Sequence, residues 1–250
     1  MNGVRWRKVG LLLGLLGLAG CGAGVLPAIH SEPERLQVAR RLFERREWSQ
    51  AAELFKTYIA NNAGSADVDQ AIYLLGESYL KLRDWPSAEI EFERLLRDYP
   101  ESDSSGSASF RLGEAYYGQS RGPDFDQEYT QKALDQWETY RRSYPDHWLQ
   151  PEAERRIAKA RQRLAAKVLS SGNLYLKLRL AEPARVYFQR VLDEYGDTPQ
   201  AGEATLGIAL ADAIAGKKHQ AVERLREIER RFPGQPIAAR AAKERARLRE

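Results

Sequence analysis

Apolar residues recur along this chain with the period of an α-helix, and one pattern of them returns several times. An alanine is followed by a large apolar residue four positions later, an aromatic residue at plus eleven and a helix-breaking residue at plus twelve. The clear copies are Ala88, Phe92, Tyr99 and Pro100; Ala133, Trp137, Tyr144 and Pro145; Ala184, Phe188, Tyr195 and Gly196; and Ala221, Leu225, Phe232 and Pro233. A weaker first copy begins at Ala51 and Phe55. Because positions four apart share one helix face, each copy predicts an amphipathic helix.

A second helix is predicted ahead of each copy. In the clearest unit, Gly76 stands twelve residues before Ala88, and Gly113 and Gly172 occupy the same place in later units. Small residues at these points allow two antiparallel helices to approach closely, with Phe92 filling the space before the next pair. The spacing is typical of tetratricopeptide repeats, which are helix-turn-helix units of about 34 residues. We therefore predict an all-α protein, a right-handed α-solenoid of about five such repeats.

Proline, glycine and the marker alanines set the expected boundaries. We predict a signal peptide at 1–20, a lipidated cysteine with a flexible tether at 21–33, five repeats, and a C-terminal capping helix at 235–250. The five repeats are placed at 34–66, 67–103, 104–148, 149–197 and 198–234. The third carries an insertion at 118–131, and the fourth has a long first helix of roughly 152–180.

The start of the chain has the order of a bacterial export signal. Arg5, Arg7 and Lys8 precede an apolar run at 9–19, which is shorter than the roughly 20 residues that a membrane-spanning helix requires. Leu18, Ala19, Gly20 and Cys21 match the lipobox of bacterial lipoproteins, and Cys21 is the only cysteine. We predict that Cys21 is lipidated and anchors the protein to the membrane. Gly22 stands where an aspartate would favour retention in the inner membrane, so we expect the outer membrane, on its periplasmic face.

Composition disfavours nucleic acid binding and catalysis. The formal charge is +4, but residues 1–20 hold three basic and no acidic residues; 39 minus these 3 leaves 36 basic against 35 acidic residues. The charges are interspersed and indicate solvated helix faces. The three histidines, His30, His147 and His219, lie far apart in predicted turns, and we interpret each as solvated. With no nucleotide-binding or nucleophile motif present, we predict no cofactor, no metal and no enzymatic activity.

The C-terminal tail is the one cluster of basic residues. Arg240, Lys243, Arg245, Arg247 and Arg249 are balanced only by Glu244 and Glu250. Two interpretations stay open. The tail is either an amphipathic capping helix whose cations favour the helix dipole, or a docking surface for an acidic partner.

The lipobox, tether and five repeats together resemble the BamD family, the lipoproteins of the outer-membrane β-barrel assembly machinery. The segments that carry this resemblance most specifically are 124–147 and 173–204, and Gly196 departs from the proline that the family has there. The resemblance implies that the C-terminal repeats bind periplasmic domains of the barrel-forming subunit, with Arg185 and Arg190 as contact residues. It also implies that the N-terminal repeats receive the C-terminal targeting strand of unfolded outer-membrane proteins. Tyr79, Tyr116 and Tyr117 are the candidate substrate contacts.

Two other functions compete with this interpretation. One is a periplasmic repeat lipoprotein that coordinates cell-wall synthesis with the envelope, although such proteins usually carry a coiled coil where this chain has only residues 22–33. The other is a glycan-processing enzyme, which is disfavoured because no carboxylate pair stands in a predicted loop.

Overall fold

The computed structural model describes residues 28–248, and over these residues it contains eleven α-helices and no β-strand. The helices are α1 (Glu32–Glu44), α2 (Trp48–Asn61), α3 (Val68–Leu82), α4 (Trp85–Asp98), α5 (Ser105–Gln119), α6 (Glu128–Ser143), α7 (Gln150–Lys177), α8 (Ala181–Tyr195), α9 (Gln200–Ile214), α10 (Lys218–Arg231) and α11 (Pro236–Arg247). No helix in this part of the chain has both the length and the apolar character needed to cross a bilayer.

Consecutive helices pack against one another as hairpins, and the hairpins stack into an α-solenoid. The first helices of neighbouring hairpins also touch: α1 contacts α3, α3 contacts α5, α7 contacts α9, and α9 contacts α11. Helices that approach each other in this way line the inner side of a solenoid. The predicted all-α solenoid is confirmed.

The core follows the predicted repeat pattern, with one change in the contact that the glycines make. All five marker alanines and the five large residues that follow them are fully buried. We expected Gly76 to face Ala88, but a methyl group at Gly76 would lie 2.7 Å from Cε1 of Phe92. Gly172 and Gly207 leave the same kind of room for Phe188. Each of these glycines therefore leaves room for an aromatic ring from the neighbouring helix.

The turn between the helices of a hairpin has one backbone conformation in four of the five hairpins. Arg46, Arg83 and Arg179 have φ of 64°, 59° and 58°, and Gly216 has 78°. Each stands five residues before its marker alanine. A non-glycine residue in this left-handed region costs roughly 1–2 kcal/mol. The sequence pattern did not reveal this position, because three of its four occupants are arginine instead of glycine.

The insertion in the third hairpin is shorter than predicted. We placed it at 118–131, but α5 continues to Gln119 and α6 already begins at Glu128, so the connection is 120–127. The side chain of Asp126, two residues earlier, accepts a hydrogen bond from the backbone N–H of Glu128 at 2.8 Å and so satisfies the first backbone donor of α6. The connection is held against α7, where Lys167 Nζ donates to the carbonyl oxygen of Asp124 at 3.0 Å.

Helix α7 joins the two halves of the solenoid. It has 28 residues, a length of about 42 Å. Near its start Arg156 pairs with Glu114 of α5 at 2.8 Å. Further along, Arg161 binds Asp197, which follows α8, with its nearest contact at 2.6 Å. Hairpin α5–α6 therefore packs near the start of α7, and α8 runs back along the rest of it, from Phe188 beside Gly172 to Asp197 beside Arg161.

The interpretation of the histidines as solvated turn residues is wrong for His147. Its ring is half-buried beside Gly106, and Nδ1 lies 2.8 Å from the hydroxyl oxygen of Tyr140. Burial lowers the pKa of His147 below its usual value. His219 lies in the first turn of α10, where it is exposed, and His30 is exposed just ahead of α1. His147 therefore helps to fix the turn between α6 and α7.

Candidate protein-binding groove

A chain of ion pairs crosses the inner side of the solenoid from α3 to α7. Glu77 of α3, a buried residue, binds Arg111 of α5 at 2.6 Å, and Arg111 also binds Glu114 at 2.5 Å. Glu114 then binds Arg156 of α7 at 2.8 Å, and Arg156 binds Glu152 at the same distance. These charges are not the freely solvated faces that the sequence predicted. They fix three inner helices in register.

The electrostatics of this chain keep Arg111 strongly charged. Burial alone would lower the pKa of its guanidinium, but the neighbouring carboxylates of Glu77 and Glu114 outweigh burial and raise that pKa. Arg111 is therefore a fixed cation in the wall of the solenoid.

A groove of about 540 Å³ opens next to this ion-pair chain, and we call it the basic groove. It is formed by the end of α3, the start of α4, the middle of α5 and the first half of α7. Its lining is Leu80, Lys81, Arg83, Trp85, Arg111, Glu114, Tyr117, Gly118, Arg156 and Lys159. Five of these side chains are cations and one is an anion, so the groove attracts negative charge.

Three cations of the basic groove are free to bind a ligand. Arg111 and Arg156 are held by carboxylates, but Lys81, Arg83 and Lys159 are exposed, and no ion pair within residues 28–248 includes them. Arg83 is also one of the residues in the left-handed turn conformation. Exposed, unpaired cations beside aromatic rings suit a ligand that carries both an anionic group and apolar side chains.

Aromatic side chains form the apolar part of the groove. The Tyr117 ring lies 4.3 Å from the Arg163 guanidinium and 5.4 Å from Lys159 Nζ, and its other neighbour is Trp137 at 5.6 Å between ring centroids. Burial raises the pKa of the Tyr117 hydroxyl, against the opposing effect of Arg163. Trp85 lies directly against Gly118, where a methyl group would collide with the indole ring. Gly118 thus lets the Trp85 ring pack against the backbone of α5.

The structure brings only one of the three candidate substrate tyrosines to the groove. Tyr117 lines it, whereas Tyr116 points toward α4 and donates a hydrogen bond to Glu93 at 2.6 Å. Burial and Glu93 both raise the pKa of the Tyr116 hydroxyl. Tyr79 is half-buried in the N-terminal part of the core, and burial raises its pKa as well.

Arg185 and Arg190 lie together on one face of α8, and we call this the α8 face. They line a shallow cavity of about 400 Å³ together with Glu182, Val186, Gln189, Asp193 and Glu194. Both arginines are already paired within the chain. Arg190 binds Glu194 at 2.9 Å, and Arg185 lies 3.5 Å from the carboxylate of Asp212. The α8 face is therefore less basic than the sequence alone indicates.

Asp212 is the unexpected centre of that region. It stands three residues after Ala209, where earlier repeats have a tyrosine three residues after Gly76, Gly113 or Gly172, and it is 1% exposed. Arg224 of α10 binds it at 2.9 Å, and Arg185 of α8 approaches from the other side. One buried carboxylate thus links α8, α9 and α10. The available sequence signal was a carboxylate in place of the tyrosine, but spacing alone could not show that Arg185 and Arg224 meet it.

The basic tail is also paired. Arg240 binds Glu203, Arg245 binds Glu229 and Arg247 binds Glu244, with the nearest atoms 2.5, 2.6 and 2.7 Å apart. Two of these pairs reach back to earlier helices, so they help to hold α11 on the last hairpin. These contacts favour the capping helix over the docking surface.

Comparison with known proteins gives the context for these surfaces. Residues 37–213 match the YfiO family, which is described as an outer membrane lipoprotein family. The outer membrane protein assembly factor BamD of Caulobacter vibrioides is 23% identical over 223 residues, which cover 87% of this chain and 73% of that protein.

Solved tetratricopeptide-repeat proteins are similar over most of their length. A thermophilic example from Thermus thermophilus is 19% identical with a TM-score of 0.39, covering 85% of this chain and 98% of that one. Another, from Parabacteroides merdae, is 16% identical with a TM-score of 0.39, covering 87% and 72%.

Proposed function

The chain belongs to the YfiO family of outer membrane lipoproteins, and on this basis we propose that it is a non-enzymatic scaffold of β-barrel assembly. In this role it binds unfolded outer-membrane proteins and the barrel-forming subunit, and so promotes folding and insertion. The similarity to an outer membrane protein assembly factor supports this assignment. The observation that carries it is the basic groove, an open inner surface with unpaired cations beside aromatic rings.

The groove suits the end of an unfolded barrel protein. A chain terminus supplies a carboxylate, which Lys81, Arg83 and Lys159 can bind, and its last residues supply apolar side chains for Trp85 and Tyr117. An extended segment can lie along the inner helices, as peptides do in helical solenoids. The C-terminal hairpins, with the α8 face, would then dock the barrel-forming subunit.

Reversal of the free cations tests this proposal. The full chain with Lys81→Glu, Arg83→Glu and Lys159→Glu is expected to bind the C-terminal peptide of an outer-membrane barrel protein about tenfold more weakly or worse, a loss of about 1.4 kcal/mol or more. The reason is that three attractive charges at the carboxylate become repulsive. Fluorescence anisotropy measures the affinity, and the same peptide with an amidated terminus should bind wild type more weakly.

A matched control carries the same charge change elsewhere: Arg45→Glu, Arg230→Glu and Lys243→Glu, all exposed and outside the groove. It should bind the peptide like wild type. Equal weakening by both triple variants, or equal binding of free and amidated peptides, would contradict the groove assignment. A pull-down with the tagged chain that retrieves cell-wall synthases in place of the barrel-forming subunit would favour the cell-wall role.

The membrane anchor is proposed separately, because Cys21 lies outside the described residues. Its place after Leu18, Ala19 and Gly20 supports lipidation. Cys21→Ala should abolish labelling of the protein by radioactive palmitate, since no other cysteine exists. Labelling that persists in this variant would show that the chain is not a lipoprotein of the expected kind.

A further inference from the structure

The turn between α7 and α8 carries a cluster of exposed leucines beside unpaired cations, which we call the α7 tip. Leu174 lies in the last turn of α7, Leu178 follows directly after the helix at its C-cap, and Leu180 ends the connection to α8. Their exposed fractions are 56%, 58% and 47%. Large apolar side chains exposed together on a folded domain indicate an interaction surface.

Cations stand among these leucines. Lys177 and Arg179 are exposed, and they make no ion pair within the described residues. The next hairpin adds Lys217, which reaches Glu182 at 3.2 Å and so lies beside the α7 tip. The one acidic residue from 174 to 182 is Glu182, which pairs with this lysine, and Asp124 lies across a cavity from Leu174 and Lys177.

The backbone presents these side chains at the end of a hairpin. Only residues 178–180 connect α7 to α8, and Arg179 holds the turn in its left-handed conformation with φ of 58°. A cavity of about 480 Å³ lies along the flank of α7 and includes Leu174 and Lys177 in its lining, but Leu178, Arg179 and Leu180 stand outside it. A projecting group of leucines ringed by cations suits a deformable surface, into which leucines insert while Lys and Arg reach the phosphates.

We propose that the α7 tip contacts a bilayer surface containing anionic phospholipids. The leucines enter the boundary between headgroups and acyl chains, and Lys177 and Arg179 bind lipid phosphates. This contact goes beyond the proposed scaffold role. It does not involve Cys21, and it would orient the solenoid by holding it to the membrane at a second point. An acidic protein partner would be the alternative occupant.

The experiment places a photoreactive leucine analogue at position 178 of the full chain. The protein is mixed with vesicles of phosphatidylethanolamine and phosphatidylglycerol, and phospholipid adducts are counted by mass spectrometry relative to vesicle-bound protein. The control position is 90, because Ile90 is similarly exposed, at 62%, on the outer helix α4. Lipid adducts should form at 178 and be about tenfold fewer at 90.

Charge reversal then tests the role of the cations. Lys177→Glu with Arg179→Glu should reduce adducts at 178 about tenfold or more, because each basic residue near an anionic surface contributes a factor of about five. Vesicles of phosphatidylcholine alone should give a similar reduction for the wild-type chain. The proposal would be overturned by equal adduct yields at 178 and 90, or by yields that do not change on charge reversal. Crosslinks from 178 to a second protein copy would also overturn it.

This readout is separate from that of the scaffold proposal. Sedimentation with phosphatidylcholine vesicles reports attachment through the N-terminal segment, and peptide affinity reports the basic groove. Lipid adducts at position 178 report the α7 tip alone. A matched apolar control, Ile90→Ser with Trp148→Ser, should leave those adducts unchanged, whereas Leu174→Ser with Leu180→Ser should reduce them.

Discussion

Replacing Trp137 by alanine is expected to lower the free energy of unfolding by about 3–5 kcal/mol, the range for removal of a fully buried tryptophan or phenylalanine. Trp137 has no exposed surface, and its Nε1–H donates to the carbonyl oxygen of Phe110 at 3.1 Å. Its ring fills the space that Gly113 leaves on α5 and packs against Tyr117. Replacement by alanine leaves a cavity at this place, and Gly113 has no side chain that could fill it.

Urea denaturation followed by circular dichroism measures this effect. Trp148→Ala is the matched control, because Trp148 is 73% exposed and its loss should change stability by less than about 0.5 kcal/mol. Since Tyr117 packs against Trp137, the Trp137→Ala variant should also bind the terminal peptide more weakly in the basic groove. A loss of stability below about 1 kcal/mol would show that the third hairpin is packed differently.

Removing both arginines around Asp212 is expected to have the second large effect. The variant Arg185→Ala with Arg224→Ala leaves a carboxylate that is 1% exposed without a countercharge, and breaking a buried pair in this way costs about 3–5 kcal/mol. Asp212→Ala should cost less, because the two arginine side chains are 37% and 39% exposed and can turn toward water. Removal of the carboxylate from the double variant, by Asp212→Leu, should restore most of the lost stability.

The same denaturation experiment compares these variants. If the double variant is no less stable than Asp212→Ala, the carboxylate is not buried between α8, α9 and α10 as described.

The pairing of Arg185 with Asp212 also affects how partner binding at the α8 face should be tested. A charge reversal at Arg185 would damage the fold, so the α8 face is better tested with Arg190→Glu, whose side chain is 53% exposed.

Periodicity predicted the hairpins because the residues that carry it are the ones that pack. Ala88 and Phe92, and their counterparts in the other repeats, are buried in every copy, and burial of an apolar face is what a 3.6-residue period records. The helix ends were less accurate where a local side-chain contact decided them. Asp126 bonds to the backbone N–H of Glu128 at the start of α6, which no apolar spacing could indicate.

Charged side chains were the main failure of sequence reasoning. Glu77, Arg111 and Asp212 have the residue types of a solvated surface, but each is paired with a side chain of another helix. A one-dimensional pattern does not show which opposite charges meet. The same limit explains why Tyr117 reaches the basic groove while its neighbour Tyr116 faces α4. Adjacent helical residues point about 100° apart, and only the packing decides which one faces the groove.

Helix α7 sets a fixed distance between the basic groove and the α7 tip. Lys159, in the basic groove, lies on α7, and Leu178, at the tip, follows the end of the same helix. At 1.5 Å per residue the two positions are about 28 Å apart along the helix axis. A continuous helix does not shorten, so a chain end held in the groove would stay at a constant height above any surface that the tip touches. Cargo of different lengths would then be presented to the membrane from one fixed distance, set by the number of residues in a single helix.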